Sequence, residues 1–234
     1  MAFEILQPQR KPRPVRAVLF DMDGLILDTE KLYCRFWQEA ARSLGYPMTR
    51  QQALGMRALN RTAGQAKLIE YFGEGVDYGT VRNRRITLMD AFVEQEGVEA
   101  FPGIYPLLDF LKERGIATAV ASSSPMDRIE AYLTPLNLFH RFDAVCTGYD
   151  VPRGKPEPDI FLHAAEKLGC SPAECLVLED SPAGLLAAHR AGCLPVMIPD
   201  QDRPGAETLP LLFALADRLE DIIPLLDSIE TLSF

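Results

Sequence analysis

The chain has 234 residues, 47% of them hydrophobic, with 24 basic and 33 acidic side chains and a formal charge of -9. That length and apolar content support one large domain, or a core with a smaller companion. The acidic balance excludes broad charge attraction to nucleic acid, although a metal ion or a few local Lys and Arg residues can still hold a small anion.

The N-terminus lacks the apolar core of a secretory leader, and no window reaches the length of a membrane span. Cys34, Cys146, Cys170, Cys175 and Cys193 are odd in number, scattered and without a C-x-x-C. They read as buried, reduced thiols of a cytoplasmic protein. The spacing of Cys170 and Cys175 suits a zinc site poorly.

Residues 1–14, with the basic and proline-rich run QPQRKPRP, are expected to form a flexible arm. The apolar run Val15–Phe20 then predicts a buried strand, stopped by Asp21, Asp23 and Gly24. Ligands of open α/β sheets bind at the edge where strands end in this way. Two carboxylates placed there repel unless a cation or a shared proton compensates, so this is a place for chemistry.

Helical periodicity follows. Leu32, Phe36, Ala40 and Leu44 share one face of a helix over Lys31–Leu44, with Asp28 or Thr29 as N-cap and Gly45 as C-cap. Further helices are expected over 50–54, 62–72 and 78–95. From there the chain alternates, with helices near 105–114, 126–133, 158–168 and 183–190. Strands fall between them at 116–121, 144–147, 175–178 and 194–198, and a last weak strand near 214–216 precedes a terminal helix. This alternation predicts a doubly wound parallel sheet, a Rossmann-like α/β core over 15–29 and 102–234. The helical block at 30–101 is a cap inserted after the first strand.

Further polar residues fall just past predicted strand ends: Ser122, Ser123 and Ser124, then Lys155 in GKPEPD, then Glu179 and Asp180. Taken singly, the serines suit a helix cap, Lys155 a surface charge, and Glu179–Asp180 a helix start. Gathered at one sheet edge, the carboxylates require a hard cation, and all-oxygen ligands suit Mg²⁺. A calcium loop is a poor match, because its glycine falls two positions later than Gly24 and a helix precedes it. His163 and His189 fall inside helices, away from the strand ends, and Phe36 and Trp37 read as cap core.

The D-x-D-G at Asp21–Gly24, Ser122, the lysine of GKPEPDIF and the E-D-S-x-x-G at Glu179–Gly184 occur in one order. In that order they resemble the four motifs of the haloacid dehalogenase superfamily, across nearly the whole core. DMDGLILDTEKLY and GKPEPDIF are especially similar to the β-phosphoglucomutase-like and pseudouridine-5'-phosphatase-like phosphatases. The resemblance implies Asp21 as nucleophile and Asp23 as general acid and base, the latter also giving its backbone carbonyl to the metal. It implies Ser122 and Lys155 as catalytic phosphoryl contacts, joined in phosphate binding by Gly24 and Ser123. Asp21, Asp23, Glu179 and Asp180 are the implied Mg²⁺ residues.

Asp23 argues against dehalogenase and phosphonate-hydrolase chemistry, because only a phosphoester leaving group needs a proton from that position. Sugar phosphomutases of the family carry a histidine where Tyr33 stands, which favours hydrolysis. The expectation is therefore a Mg²⁺-dependent phosphatase, with a mutase as the alternative and a silent binding module as the third reading. Its partner would be a small phosphorylated metabolite, with no nucleic acid or membrane, and the chain a monomer or weak homodimer. Among the cap arginines, Arg57 is the substrate-contact candidate, since it follows Gly55 in a loop.

Overall fold

The computed structural model describes residues 3–7, 12–57, 59, 61–200 and 203–232. Their strands are β1 (Phe3–Ile5), β2 (Ala17–Phe20), β3 (Ala117–Ser122), β4 (Ala144–Thr147), β5 (Cys175–Glu179), β6 (Leu194–Met197) and β7 (Ala214–Ala216). They form one seven-stranded sheet in the order β1-β7-β6-β5-β2-β3-β4. β1 pairs antiparallel with β7, and the other neighbours pair parallel.

Every residue of β2 is buried. Ala17 and Leu19 pack with Ala119, Ala121, Val177 and the helix residues Ile160, Phe161, Ala187 and Ala188. Val18 and Phe20 face the opposite side and are equally buried, with Phe20 edge-on to Phe142 at a centroid separation of 5.5 Å. A strand covered on both faces reads as a continuous apolar run rather than an alternating one, which is why it was visible in the sequence. The helices of this unit are α5 (Ile104–Glu113), α6 (Met126–Leu133), α7 (Asp159–Lys167), α8 (Pro182–Ala191) and α9 (Ile222–Leu232).

The chain divides into two compact units, one formed by Met1–Leu27 with Ala100–Phe234 and the other by Asp28–Glu99. The second contains α1 (Glu30–Ser43), α2 (Arg50–Leu54), α3 (Arg61–Phe72) and α4 (Tyr78–Glu96). Trp37, Ala40, Ala41, Met48, Leu68 and Val81 make its core. A capping box between Thr49 and Gln52 starts α2.

The arm expected over 1–14 is in part a strand: Phe3–Ile5 pairs with Ala214–Ala216 at the sheet edge. Three residues, Glu4 exposed between half-buried Phe3 and Ile5, carry too short a pattern to reveal that pairing. Residues 8–11 of the basic run lie outside the described residues. Thr29 occupies the N-cap of α1 but makes no side-chain cap bond. No described helix is long and apolar enough to cross a membrane.

Candidate active site

The parallel register aligns Phe20 with Val120 of β3 and with Leu178 of β5. Asp21, Ser122 and Glu179 therefore leave the sheet at the same edge. The Asp21 N–H still donates to the Leu178 carbonyl at 3.0 Å, so the nucleophile candidate is held by the ladder itself. Beyond it the chain turns tightly. Ile26 and Leu27 N–H groups both donate to the Met22 carbonyl at 3.0 Å, and Gly24 N–H donates to the Leu27 carbonyl at 2.9 Å. Gly24 has φ of 80°, a left-handed geometry that costs an L side chain about 1–2 kcal/mol.

Lys155 arrives from the loop between β4 and α7. Its ammonium donates to Asp21 Oδ1 and, at 2.7 Å, to Glu179 Oε1, and it lies 5.1 Å from the centre of the Phe161 ring. The lysine side chain is 7% exposed and that of Glu179 1%. Burial raises the Asp21 carboxyl to about 7, helped by Glu179 and Asp23 and opposed by Lys155. For Lys155, burial alone would pull the ammonium down, but the charges of Asp21 and Glu179 outweigh it and push it above its ordinary value.

Glu179 is fully committed. Its Oε2 accepts from the Ser181 N–H and hydroxyl, both at 2.9 Å, while Ser181 Oγ accepts from the Gly184 N–H at 3.1 Å and caps α8. A Cβ on Gly184 would fall 1.6 Å from Glu179 Oε1, so only glycine leaves room for that carboxylate. Ligand atoms of Asp21, Glu179 and Asp180 all lie within 4.8 Å of one another. Such a set of hard oxygen donors fits a divalent cation.

Ser122 is 1% exposed, and its Oγ accepts from the Ser124 N–H at 3.0 Å. That bond fixes the oxygen and leaves the hydroxyl proton for another acceptor. Ser124 is buried, and its own hydroxyl donates to Asp23 Oδ2 at 3.3 Å. Ser123 is exposed. The sheet edge thus brings together Asp21, Asp23, Ser122, Lys155, Glu179 and Asp180, with Gly24 shaping the turn.

Arg57 lies within its own unit, Asp28–Glu99, where its Nε donates to the Leu54 carbonyl at 3.2 Å and lies 4.0 Å from Glu30. His163 and His189 lie in α7 and α8, and His140 in the single turn Phe139–Arg141. All five cysteines are free, four of them buried and Cys170 half-buried. Burial pushes the Cys175 thiol up to about 12, which makes it inert. A cavity of about 520 Å³ opens at the other end of β3, beside Ala117, Thr118 and Asp143. Asp143 there accepts from the Thr118 N–H at 2.8 Å.

From the sequence, Ser124 stands only among the polar residues past a strand end, and Ser181 and Gly184 only as members of the E-D-S-x-x-G motif, none with a site role of its own. Ser181 had a local signal, since Ser-Pro ahead of an apolar run is a helix start. Its second bond, to Glu179, had none.

A family model described as haloacid dehalogenase-like hydrolase matches residues 15–192. The chain belongs to the haloacid dehalogenase-like hydrolases. Hexitol phosphatase B of Escherichia coli (strain K12) is 33% identical over 209 residues, covering 88% of this chain and 91% of that protein. Beta-phosphoglucomutase of Bacillus subtilis is 30% identical over 190 residues, covering 78% and 82%. Among solved structures, CbbY from Rhodobacter sphaeroides in complex with xylulose-(1,5)bisphosphate has a TM-score of 0.69 at 25% identity, covering 88% of this chain and 96% of that one. These likenesses support a phosphatase activity for this haloacid dehalogenase-like hydrolase, and the family generally uses a divalent metal.

Proposed function

We propose that the chain is a Mg²⁺-dependent phosphomonoester hydrolase. It acts on a small phosphorylated metabolite, a sugar phosphate or nucleoside-type phosphate, through an aspartyl-phosphate at Asp21. The observation that carries this reading is the buried Asp21 carboxylate held by an ammonium at the carboxyl edge of the sheet. A carboxylate so placed is a nucleophile with its counter-charge built in.

In the first step an Asp21 oxygen bonds to phosphorus, the ester P–O bond breaks, and the proton of Asp23 passes to the leaving oxygen. In the second, Asp23 takes a proton from water, the water oxygen bonds to phosphorus, and the Asp21–phosphorus bond breaks. Two carboxylates in different surroundings divide such tasks readily. The Ser122 hydroxyl and the Lys155 ammonium, with Gly24 and Ser123 at the same turns, bind the phosphoryl oxygens. Asp21, Asp180 and the Asp23 backbone carbonyl would hold Mg²⁺, with Glu179 contributing directly or through water. The ion would supply Lewis-acid stabilisation of charge on the transferring group.

Tyr33 stands where the family's sugar mutases have histidine, and this favours hydrolysis. The likeness to beta-phosphoglucomutase keeps the mutase as the second reading. Arg57 remains the cap residue proposed to meet the substrate. The free thiols fit a reducing, cytoplasmic setting.

A panel of phosphorylated sugars, nucleotides and three-carbon acids, assayed with Mg²⁺, tests the proposal. Phosphate release above an Asp21→Asn control is expected. Equal rates for the two proteins would overturn it. Movement of phosphate within a hexose, dependent on a bisphosphate activator, would establish the mutase instead.

A further inference from the structure

The Ser122–Ser124 turn does more than offer a hydroxyl to phosphate. The register that aligns Phe20 with Val120 carries Asp23 and Ser124 to adjacent exits from β2 and β3. There Ser124, 7% exposed and 101 residues away in sequence, donates its hydroxyl to Asp23 Oδ2 at 3.3 Å. Its N–H simultaneously donates to Ser122 Oγ at 3.0 Å. One short turn therefore ties the phosphate-side serine to the acid candidate.

We propose that Ser124 is a positioning residue for proton delivery by Asp23, a role that rests on the phosphatase reading above. A carboxyl group carries its transferable proton on one oxygen only. A hydroxyl donating to Oδ2 leaves that oxygen as the acceptor and places the proton on Oδ1. It also fixes rotation of the carboxyl plane, so Oδ1 keeps one direction. When the ester P–O bond breaks, that proton moves to the leaving oxygen and the resulting carboxylate still accepts from Ser124. When water later attacks, Oδ1 recovers the proton. Ser124 itself neither gains nor loses one. A bond of 3.3 Å is long for O–H···O, as catalytic hydrogen bonds often are in the absence of substrate.

Leaving-group dependence separates this role from phosphate binding and from simple structural support. An alkyl phosphate needs its leaving oxygen protonated, whereas p-nitrophenyl phosphate leaves as a stable phenolate. General acid catalysis contributes about 10²–10⁴-fold, and loss of orientation should forfeit on the order of tenfold of it.

The experiment compares kcat and kcat/KM of wild type, Ser124→Ala, Ser124→Thr and Ser122→Ala on glycerol phosphate, a hexose phosphate and p-nitrophenyl phosphate with Mg²⁺. Ser124→Ala should lower kcat/KM, which reports the step that expels the leaving group, about tenfold on the alkyl esters and less than twofold on the aryl ester. Ser124→Thr, which keeps the hydroxyl, should restore most of the loss. Ser122→Ala should slow all the esters alike. Equal losses of kcat/KM on alkyl and aryl esters with Ser124→Ala, or no loss on either, would overturn the assignment. A wild type no faster than Asp21→Asn on every ester would sink the phosphatase reading and this proposal with it, an outcome distinct from the equal-loss result.

Discussion

Gly184 is the position where a single methyl group tests the most of this site. Alanine is favoured over glycine in a helix by about 1 kcal/mol, so Gly184→Ala in α8 would ordinarily stabilise. Here the added Cβ would lie 1.6 Å from Glu179 Oε1 and 2.0 Å from its Cδ. Overpacking of a filled core costs about 1–3 kcal/mol. The carboxylate can retreat only by giving up Lys155 at 2.7 Å or Ser181 at 2.9 Å, and a hydrogen bond to a charged group is worth about 1.5–3 kcal/mol. The clash outweighs the helix preference, and net destabilisation of about 2–4 kcal/mol is expected. Urea denaturation of the metal-free protein measures it. Glu179→Ala should be destabilising alone but should empty the space that the methyl needs. In the double variant Gly184→Ala should then cost less than about 0.5 kcal/mol further, a coupling that additive sites do not show. Additive losses, or a Gly184→Ala protein more stable than wild type, would refute the reasoning.

Protonation of Asp21 should be visible as pH-dependent stability. Its carboxyl is raised to about 7, so the folded metal-free protein holds that proton more tightly than the unfolded chain does. The resulting stability is complete below the ordinary carboxylate range and lost as pH rises towards 7, at up to about 1.4 kcal/mol per pH unit. Denaturation in a chelating buffer from pH 5 to 8 should show wild type falling relative to Asp21→Asn up to pH 7, and parallel curves would disprove it. In the Asp28–Glu99 unit, Arg85 is 6% exposed, and its guanidinium lies 4.5 Å from the Tyr33 ring centre and 5.3 Å from that of Trp37. Stacking of this kind is worth up to about 2 kcal/mol, but desolvating the charge offsets it. Arg85→Met should therefore shift stability by less than about 1 kcal/mol, while Leu68→Ala, at a fully buried position, should cost about 2–5 kcal/mol. A loss at Arg85 as large as that at Leu68 would show the stack outweighing the desolvation.

How much of this was legible depended on how local each cause is. The central strands were readable because burial on both faces writes itself as an unbroken apolar run, and the polar residues that follow mark the strand ends. The helices of the Asp28–Glu99 unit were readable because apolar residues recur at helical spacing, as Leu32, Phe36 and Ala40 do. β1 was not, because among the described residues it pairs with the distant β7, Phe3 standing opposite Ala216. The bonds that define the site are similarly distant: 134 residues separate Lys155 from Asp21, and 101 separate Ser124 from Asp23. Motif order brings such residues to one edge without saying which oxygen meets which proton. Glu179 illustrates the gap. Its place beside Asp180 suggested a metal ligand, and only the folded geometry shows its two oxygens given to Lys155 and Ser181.

That commitment changes what Lys155 can do for Asp21. A single ammonium facing one buried carboxylate would hold it ionised, since the attraction in a poorly solvated site is strong. Lys155 instead faces two carboxylates, and Glu179 neutralises much of the charge that Asp21 would otherwise use. Burial then dominates and Asp21 sits near 7. Asp21 and Glu179 together keep Lys155 protonated, so the ammonium holds its charge at this edge of the sheet. A divalent cation held by Asp21 and Asp180, as proposed, would lower the Asp21 carboxyl, because it would add positive charge that Glu179 does not cancel. On the proposed function, ionisation of Asp21 near neutral pH would then depend on that cation, because the carboxylate locked between Lys155, Ser181 and Gly184 already shares the ammonium.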